Sequence, residues 1–168
     1  SVTFSSIPAT YTDLVVRLSA RSSRADWEDQ YKIVFNGDTS TKYSFTNLVT
    51  QSTTPFSARG SSLTNLVSAD MDGNTTTSNT FANFELYLPN YTGTASKPVS
   101  VFNVSENNSA TSLFEVGVWA ALYTGTSAIS SITFTTAFSA NYMAGSSFFL
   151  DRKSTRLNSS HITISYAV

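Results

Sequence analysis

The chain has 168 residues, with 10 Lys+Arg against 11 Asp+Glu, a formal net charge of −1, 40 % hydrophobic and only 12 % charged residues. That length suits one domain with a sizeable core, and the near-neutral charge excludes a nucleic-acid binder that works by neutralising phosphates. With no cysteine and a single histidine, His161, there is no basis for disulfides, thiolate metal sites, Cys nucleophiles or a Ser-His-Asp triad.

The chain opens at Ser1 without an initiator Met, and Val2-Thr3-Phe4 already reads as strand. We take this start as a cut within a longer polypeptide or a processed terminus, with no signal-peptide pattern. Residues 13–21 alternate cleanly. Leu14, Val16, Leu18 and Ala20 share one face; Val15, Arg17, Ser19 and Arg21 share the other. Residues 26–30 fit at most one helical turn. A strand over 31–35 ends at Asn36-Gly37-Asp38, whose Asn-Gly pair suits the positive φ of a hairpin turn. A strand over 42–49 follows. A polar loop with Pro55 and Gly60 then leads to a strand over 63–68 and to an Asp/Asn/Thr-rich loop over 70–80.

Strands over 81–88 and 98–104 pair across the turn at 89–93. The longest predicted strand, 112–123, puts Phe114, Val116, Val118, Ala120 and Leu122 on one face and Leu113, Glu115, Gly117, Trp119 and Ala121 on the other. Strands over 131–134 and 147–150 complete the series. About eight or nine short strands, with no capped helical periodicity, predict an all-β antiparallel β-sandwich of jelly-roll type. An immunoglobulin-like sandwich is the runner-up, but its Cys-Trp-Cys hallmark is absent. No apolar run approaches the ~20 residues of a transmembrane helix, so no membrane is expected as a partner.

Composition shifts after Leu150. Residues 151–168, DRKSTRLNSSHITISYAV, hold three of the ten basic residues and the only His. All eighteen positions fit the translation of a common short-read sequencing adapter. The sandwich domain is therefore expected over 1–150, with 151–168 a non-native tail from adapter read-through and the native residues after Leu150 replaced. The other reading is a genuine strand over 162–168. Without the tail, seven basic and ten acidic side chains leave a net charge of −3.

Asp70, Asp72 and Asn74 alternate as oxygen ligands of a calcium loop do. An EF-hand, however, needs Gly at its sixth position and Glu at its twelfth, where Thr75 and Phe81 stand. An Asx-rich turn is the plainer reading, and no metal or other cofactor is expected. Asp26, Glu28 and Asp29 beside Trp27 hold the carboxylates that a glycosidase needs, but nothing fixes their separation; a solvated loop explains them. Trp119 reads as core or inter-subunit. Trp27 and Tyr91, on predicted loops, are the candidate ligand platforms. Asn74, Asn90, Asn103 and Asn107 open Asn-x-Ser/Thr triplets, which a chain rich in Ser and Thr produces by chance. There is no phosphate-binding Gly-rich loop and no nucleophile elbow, so no enzymatic activity is expected.

Several segments together resemble virion proteins of tailed bacteriophages that abound in aquatic viral metagenomes. The most specific is Phe4-Ser5-Ser6-Ile7-Pro8-Ala9-Thr10-Tyr11-Thr12-Asp13-Leu14. The others are Phe35-Asn36-Gly37-Asp38 with Tyr43, Tyr87-Leu88-Pro89-Asn90-Tyr91, Val104-Ser105-Glu106-Asn107-Asn108, Gly117-Val118-Trp119 and Ile132-Thr133-Phe134. The resemblance spans residues 2–150. Sequences of this kind end in Leu-Tyr-Gly-Ile, where Phe148-Phe149-Leu150 here runs into Asp151. It implies a β-sandwich on the virion surface, as a capsid decoration or a tail-appendage module, and carries over no catalytic residues. The expected partners are copies of the chain and other virion proteins, joined through an apolar strand face marked by Val15 with Val34 or Leu113 with Trp119. The alternative is a carbohydrate- or receptor-binding module of a tail fibre that meets a host surface glycan through Trp27 or Tyr91.

Overall fold

The computed structural model describes residues 1–109, 115–154 and the backbone of 164–167. The strands are β1 (Val2–Phe4), β2 (Asp13–Ala20), β3 (Glu28–Phe35), β4 (Tyr43–Gln51), β5 (Thr54–Leu63), β6 (Leu66–Asp72), β7 (Ala82–Leu88), β8 (Lys97–Ser105), β9 (Glu115–Tyr123), β10 (Ile132–Thr136), β11 (Ser147–Lys153) and β12 (Ile164–Ala167). They form two antiparallel sheets, a smaller one in the order β1-β10-β3-β6 and a larger one in the order β12-β11-β2-β7-β8-β9-β4-β5. No helix occurs among the described residues. The all-β sandwich is as expected, and the chain crosses between its layers repeatedly, as in a jelly roll.

Alternation builds the core. On β3, Tyr31, Ile33 and Phe35 are buried, and on β2 so are Leu14, Val16 and Leu18. Aromatic rings bridge the two layers. Tyr31 meets Phe84 with centroids 4.7 Å apart, while Phe134 sits between Phe84 at 6.2 Å and Phe148 at 6.3 Å. Offset and edge contacts of this kind add to what burial alone supplies.

Asn36 and Gly37 adopt the expected positive φ, at 52° and 66°, yet they do not close a hairpin. β3 and β4 belong to different sheets, so the turn lifts the chain across the sandwich. Side chains tie it down. The Asn36 Oδ1 accepts from the Ser130 and Ser131 amides, and Asp38 accepts from the Lys42 ammonium and the Tyr123 hydroxyl, both at 2.8 Å. The hydrogen bond from Lys42 and those from Ser40 hold the Asp38 carboxyl well below the usual range.

Three expectations need correction. The polar loop with Pro55 and Gly60 is a ten-residue strand, β5, most of it exposed and paired along β4; with little apolar surface to bury, it carries no alternation to read. Residues 28–30 extend β3 rather than form a helical turn or a solvated loop, and Asp29 is fully buried, accepting from the Ser22 hydroxyl at 2.6 Å. The strand expected over 63–68 is instead β6, which runs on to Asp72 through a β-bulge.

At the other end, β11 does not stop at Leu150. Asp151, Arg152 and Lys153 continue the ladder opposite Val15, Leu14 and Asp13. Asp151 pairs with the Arg17 guanidinium, which also binds Glu85 at 2.8 Å. The backbone of 164–167 lies antiparallel to 147–150, and His161 lies outside the described residues.

Candidate binding cleft

The smaller sheet does not cover the larger one completely. β6 is its free edge, and the large sheet continues past it through β9, β4 and β5. The uncovered inner surface forms a cleft of about 220 Å³, with Asp70, Glu115, Gln51, Trp119, Phe45 and Phe56 among its lining residues.

The bulge in β6 shapes one wall. Tyr31 faces Ser68 and Gln30 faces Asp70, so Ala69 is the extra residue. Its φ of 61° is left-handed, a costly conformation for alanine. Bulges re-aim side chains and end pairing, and here the next residue turns its backbone toward the large sheet. The Asp70 amide donates to Glu115 Oε1 at 3.0 Å, and the Asp70 carbonyl accepts from the Asn103 side-chain amide at 2.9 Å. The free edge is thus capped by side chains rather than left open to another strand.

The Asp70 carboxylate accepts from Gln30 Nε2 at 3.0 Å and from Gln51 Nε2 at 2.9 Å, which joins β3, β6 and β4. Glu115 accepts a second hydrogen bond from Asn103 at 3.0 Å. Burial pushes the Glu115 carboxyl up to about 8, reinforced by the Asp70 charge. Glu28, opposite Asp72 on β3, is likewise pushed to about 8 by burial and by Asp70. Like charges in low dielectric cannot all ionise, so at neutral pH the cluster keeps protons on glutamates beside an aspartate that accepts two amide hydrogen bonds.

Glycines set the aromatic rings. A Cβ on Gly117 would lie 2.6 Å from the Trp119 ring, and a Cβ on Gly60 would lie 2.8 Å from the Phe45 ring. Each bare glycine lets an indole or phenyl lie against the backbone of its own or the neighbouring strand, a recognised pairing in sheets.

The predicted site residues fall elsewhere or take other roles. Tyr91 is corrected from ligand platform to core: its ring is 0 % exposed and its hydroxyl donates to the Pro8 carbonyl. Trp27 is half-buried on the bend before β3, its backbone carbonyl accepting from the Gly73 amide. The calcium candidates do not converge. Asp70 serves the cleft, Asp72 accepts from Ser105 and Asn107, and Asn74 is exposed. Among the described residues no group of three or more His, Cys, Asp or Glu is arranged to hold a metal. The loop after β6 is instead organised by a cation of the chain itself. The buried Arg21 guanidinium donates to the carbonyls of Thr76, Thr77 and Thr80 at 2.7–3.1 Å. The acidic run disperses as well, since Asp26 pairs with Arg24 at 2.8 Å, Asp29 accepts from the Ser22 hydroxyl, and Glu28, on β3, lies opposite Asp72.

Sequence reading placed Glu115 and Trp119 on one strand face but missed their partners. Nothing local links Gln30, Gln51 and Asp70, which meet only through the two-sheet topology and the bulge. In comparisons with family models, with curated proteins and with solved structures, nothing matches this chain.

Proposed function

We propose that this chain is a non-catalytic structural module of a bacteriophage virion surface, one that assembles with copies of itself through the outer face of its large sheet. The observation that carries the assembly is an inversion on β9. Its more apolar face points outward: Val116, Val118 and Leu122 are 49 %, 48 % and 36 % exposed, while Glu115, Gly117 and Trp119 point in. The ladder then sets Leu48, Val118 and Phe102 in one cross-strand row, with Leu48 60 % and Phe102 50 % exposed. A contiguous exposed apolar patch of this kind marks a protein contact.

A second copy is the partner that suits this face. The outward positions of β4, β8 and β9 carry no charge, and a groove of about 560 Å³ runs along them beside Pro98, Ser100, Phe102 and Ala120. Charges stand at its border, where Arg17 binds Glu85 and Asp151 on one side and Arg59 lies opposite Thr46 on the other. Within that border a partner therefore needs an uncharged apolar surface, which a copy of the same face supplies. The virion setting rests on the resemblance over residues 2–150, and the capsid-decoration and tail-appendage placements are both compatible with it. The earlier markers of the seam are replaced: Val15 is buried, Trp119 lines the inner cleft, and Leu113 lies outside the described residues.

Sedimentation velocity tests the assembly. Wild-type protein is expected at a whole multiple of the chain mass, and the Phe102→Glu/Val118→Glu variant at the mass of one chain with unchanged far-UV circular dichroism. A wild-type protein that stays monomeric at every concentration contradicts the proposal.

A further inference from the structure

The outer face leaves the inner cleft unexplained, and its chemistry is of another kind. It places acids and amides, Asp70, Glu115, Gln30, Asn47 and Gln51, against the aromatic rings of Phe45, Phe56 and Trp119. Ser68 lines it too, only 2 % exposed, with a hydroxyl that finds no hydrogen-bond partner among the described residues. Buried polar atoms are normally satisfied, so this hydroxyl is available to a polar group that enters the cleft.

We propose that the cleft is a saccharide site that holds a single neutral, hydroxyl-rich sugar ring. Carboxyl and carboxamide groups side by side accept from and donate to adjacent ring hydroxyls, while Phe56, 40 % exposed at the rim, covers the apolar face of the ring. The volume of about 220 Å³ lies below the ~300–1,000 Å³ of drug-sized sites, which limits the occupant to one small ring. Other ligand classes fit worse. Anions meet the Asp70 carboxylate, and a metal finds no suitable ligand group among the described residues. An added β-strand is blocked where Glu115 and Asn103 already hold the Asp70 backbone. With burial pushing the Glu115 carboxyl up to about 8, and with the Ser68 hydroxyl and the Gln30, Asn47 and Gln51 amides beside it, the cleft offers donors as well as acceptors, which favours a neutral polyol over a cation.

The test titrates D-glucose, D-galactose, D-mannose and N-acetyl-D-glucosamine separately into the full chain. Binding is read by saturation-transfer NMR and by tryptophan fluorescence, and both work whether or not the chain self-associates. At least one sugar is expected to bind saturably with Kd on the order of 1 mM. Phe56→Ala and Asp70→Asn should each weaken it by about tenfold, whereas Trp27→Ala leaves it unchanged. Phe56 sits on an exposed strand, so its variant keeps the fold even if Asp70→Asn does not. The proposal is overturned if no sugar gives a saturable response, if Phe56→Ala binds as wild type, or if calcium chloride alone perturbs the cleft and no sugar does.

Discussion

Glu115 and Glu28 make stability depend on pH in an unusual direction. Both carboxyls ionise near 4.5 when unfolded but hold their protons to about 8 in the folded chain. Between those values the folded state binds more protons, so their contribution to stability falls as pH rises through that window and is level outside it. Calorimetric midpoints from pH 4 to 9 should therefore decline for the wild type and decline less for Glu115→Gln, which keeps an acceptor for Asp70 and Asn103. Parallel curves for the two proteins would refute the assignment. Arg21 is the second decisive residue. Arg21→Met strands the carbonyls of Thr76, Thr77 and Thr80 and should cost about 1–3 kcal/mol, measured by urea unfolding. A cost near zero would mean that the guanidinium does not organise the loop. Neither role was visible in the sequence, where Asp70–Asn74 suggested at most a cation loop. The cation is an arginine about fifty positions earlier, and only the fold brings it there.

At the scale of the element, strands with one buried face were legible and strands without one were not. The alternation of β2, β7 and β8 fixes their place to within a residue or so. β5 escaped because its side chains are mostly exposed, and β6 because the bulge at Ala69 breaks the period. β9 was read with the right two faces, and what could not be known is which of them the second sheet would cover. Its inner face depends on Gly117. Gly117→Val drives a side chain into Trp119 and Val49 and should cost about 1–3 kcal/mol; a neutral substitution would show that the indole does not lie there. The end of β11 tests the tail. Asp151–Lys153 extend the ladder, but their ion pair is a partly exposed one, worth about 0–1 kcal/mol. Truncation after Leu150 should keep cooperative unfolding, with the midpoint within about 2–4 °C of the full chain. Loss of the transition would show that the adapter-like residues are integral to the sandwich.

For the whole molecule, the sequence carried the layered all-β architecture but left the two proposed surfaces unlocated. Trp27 and Tyr91 drew notice because aromatics on predicted loops read as platforms. The fold instead buries Tyr91 and puts the cleft on the inner face of the large sheet, where strands remote in sequence meet. The outer face was hidden for a related reason: Val116, Val118 and Leu122 look like core until the topology turns them outward. Both proposed surfaces belong to the same large sheet, one on each side, so self-assembly through the outer face would leave the cleft open. A cryo-EM map of the particle that carries this chain tests that account most directly. The account predicts regularly repeated copies on the virion surface, with Leu48, Phe102 and Val118 buried between neighbours and the cleft beside β6 facing solvent. Copies whose outer sheet face is bare, or whose cleft is covered by a neighbour, would contradict it.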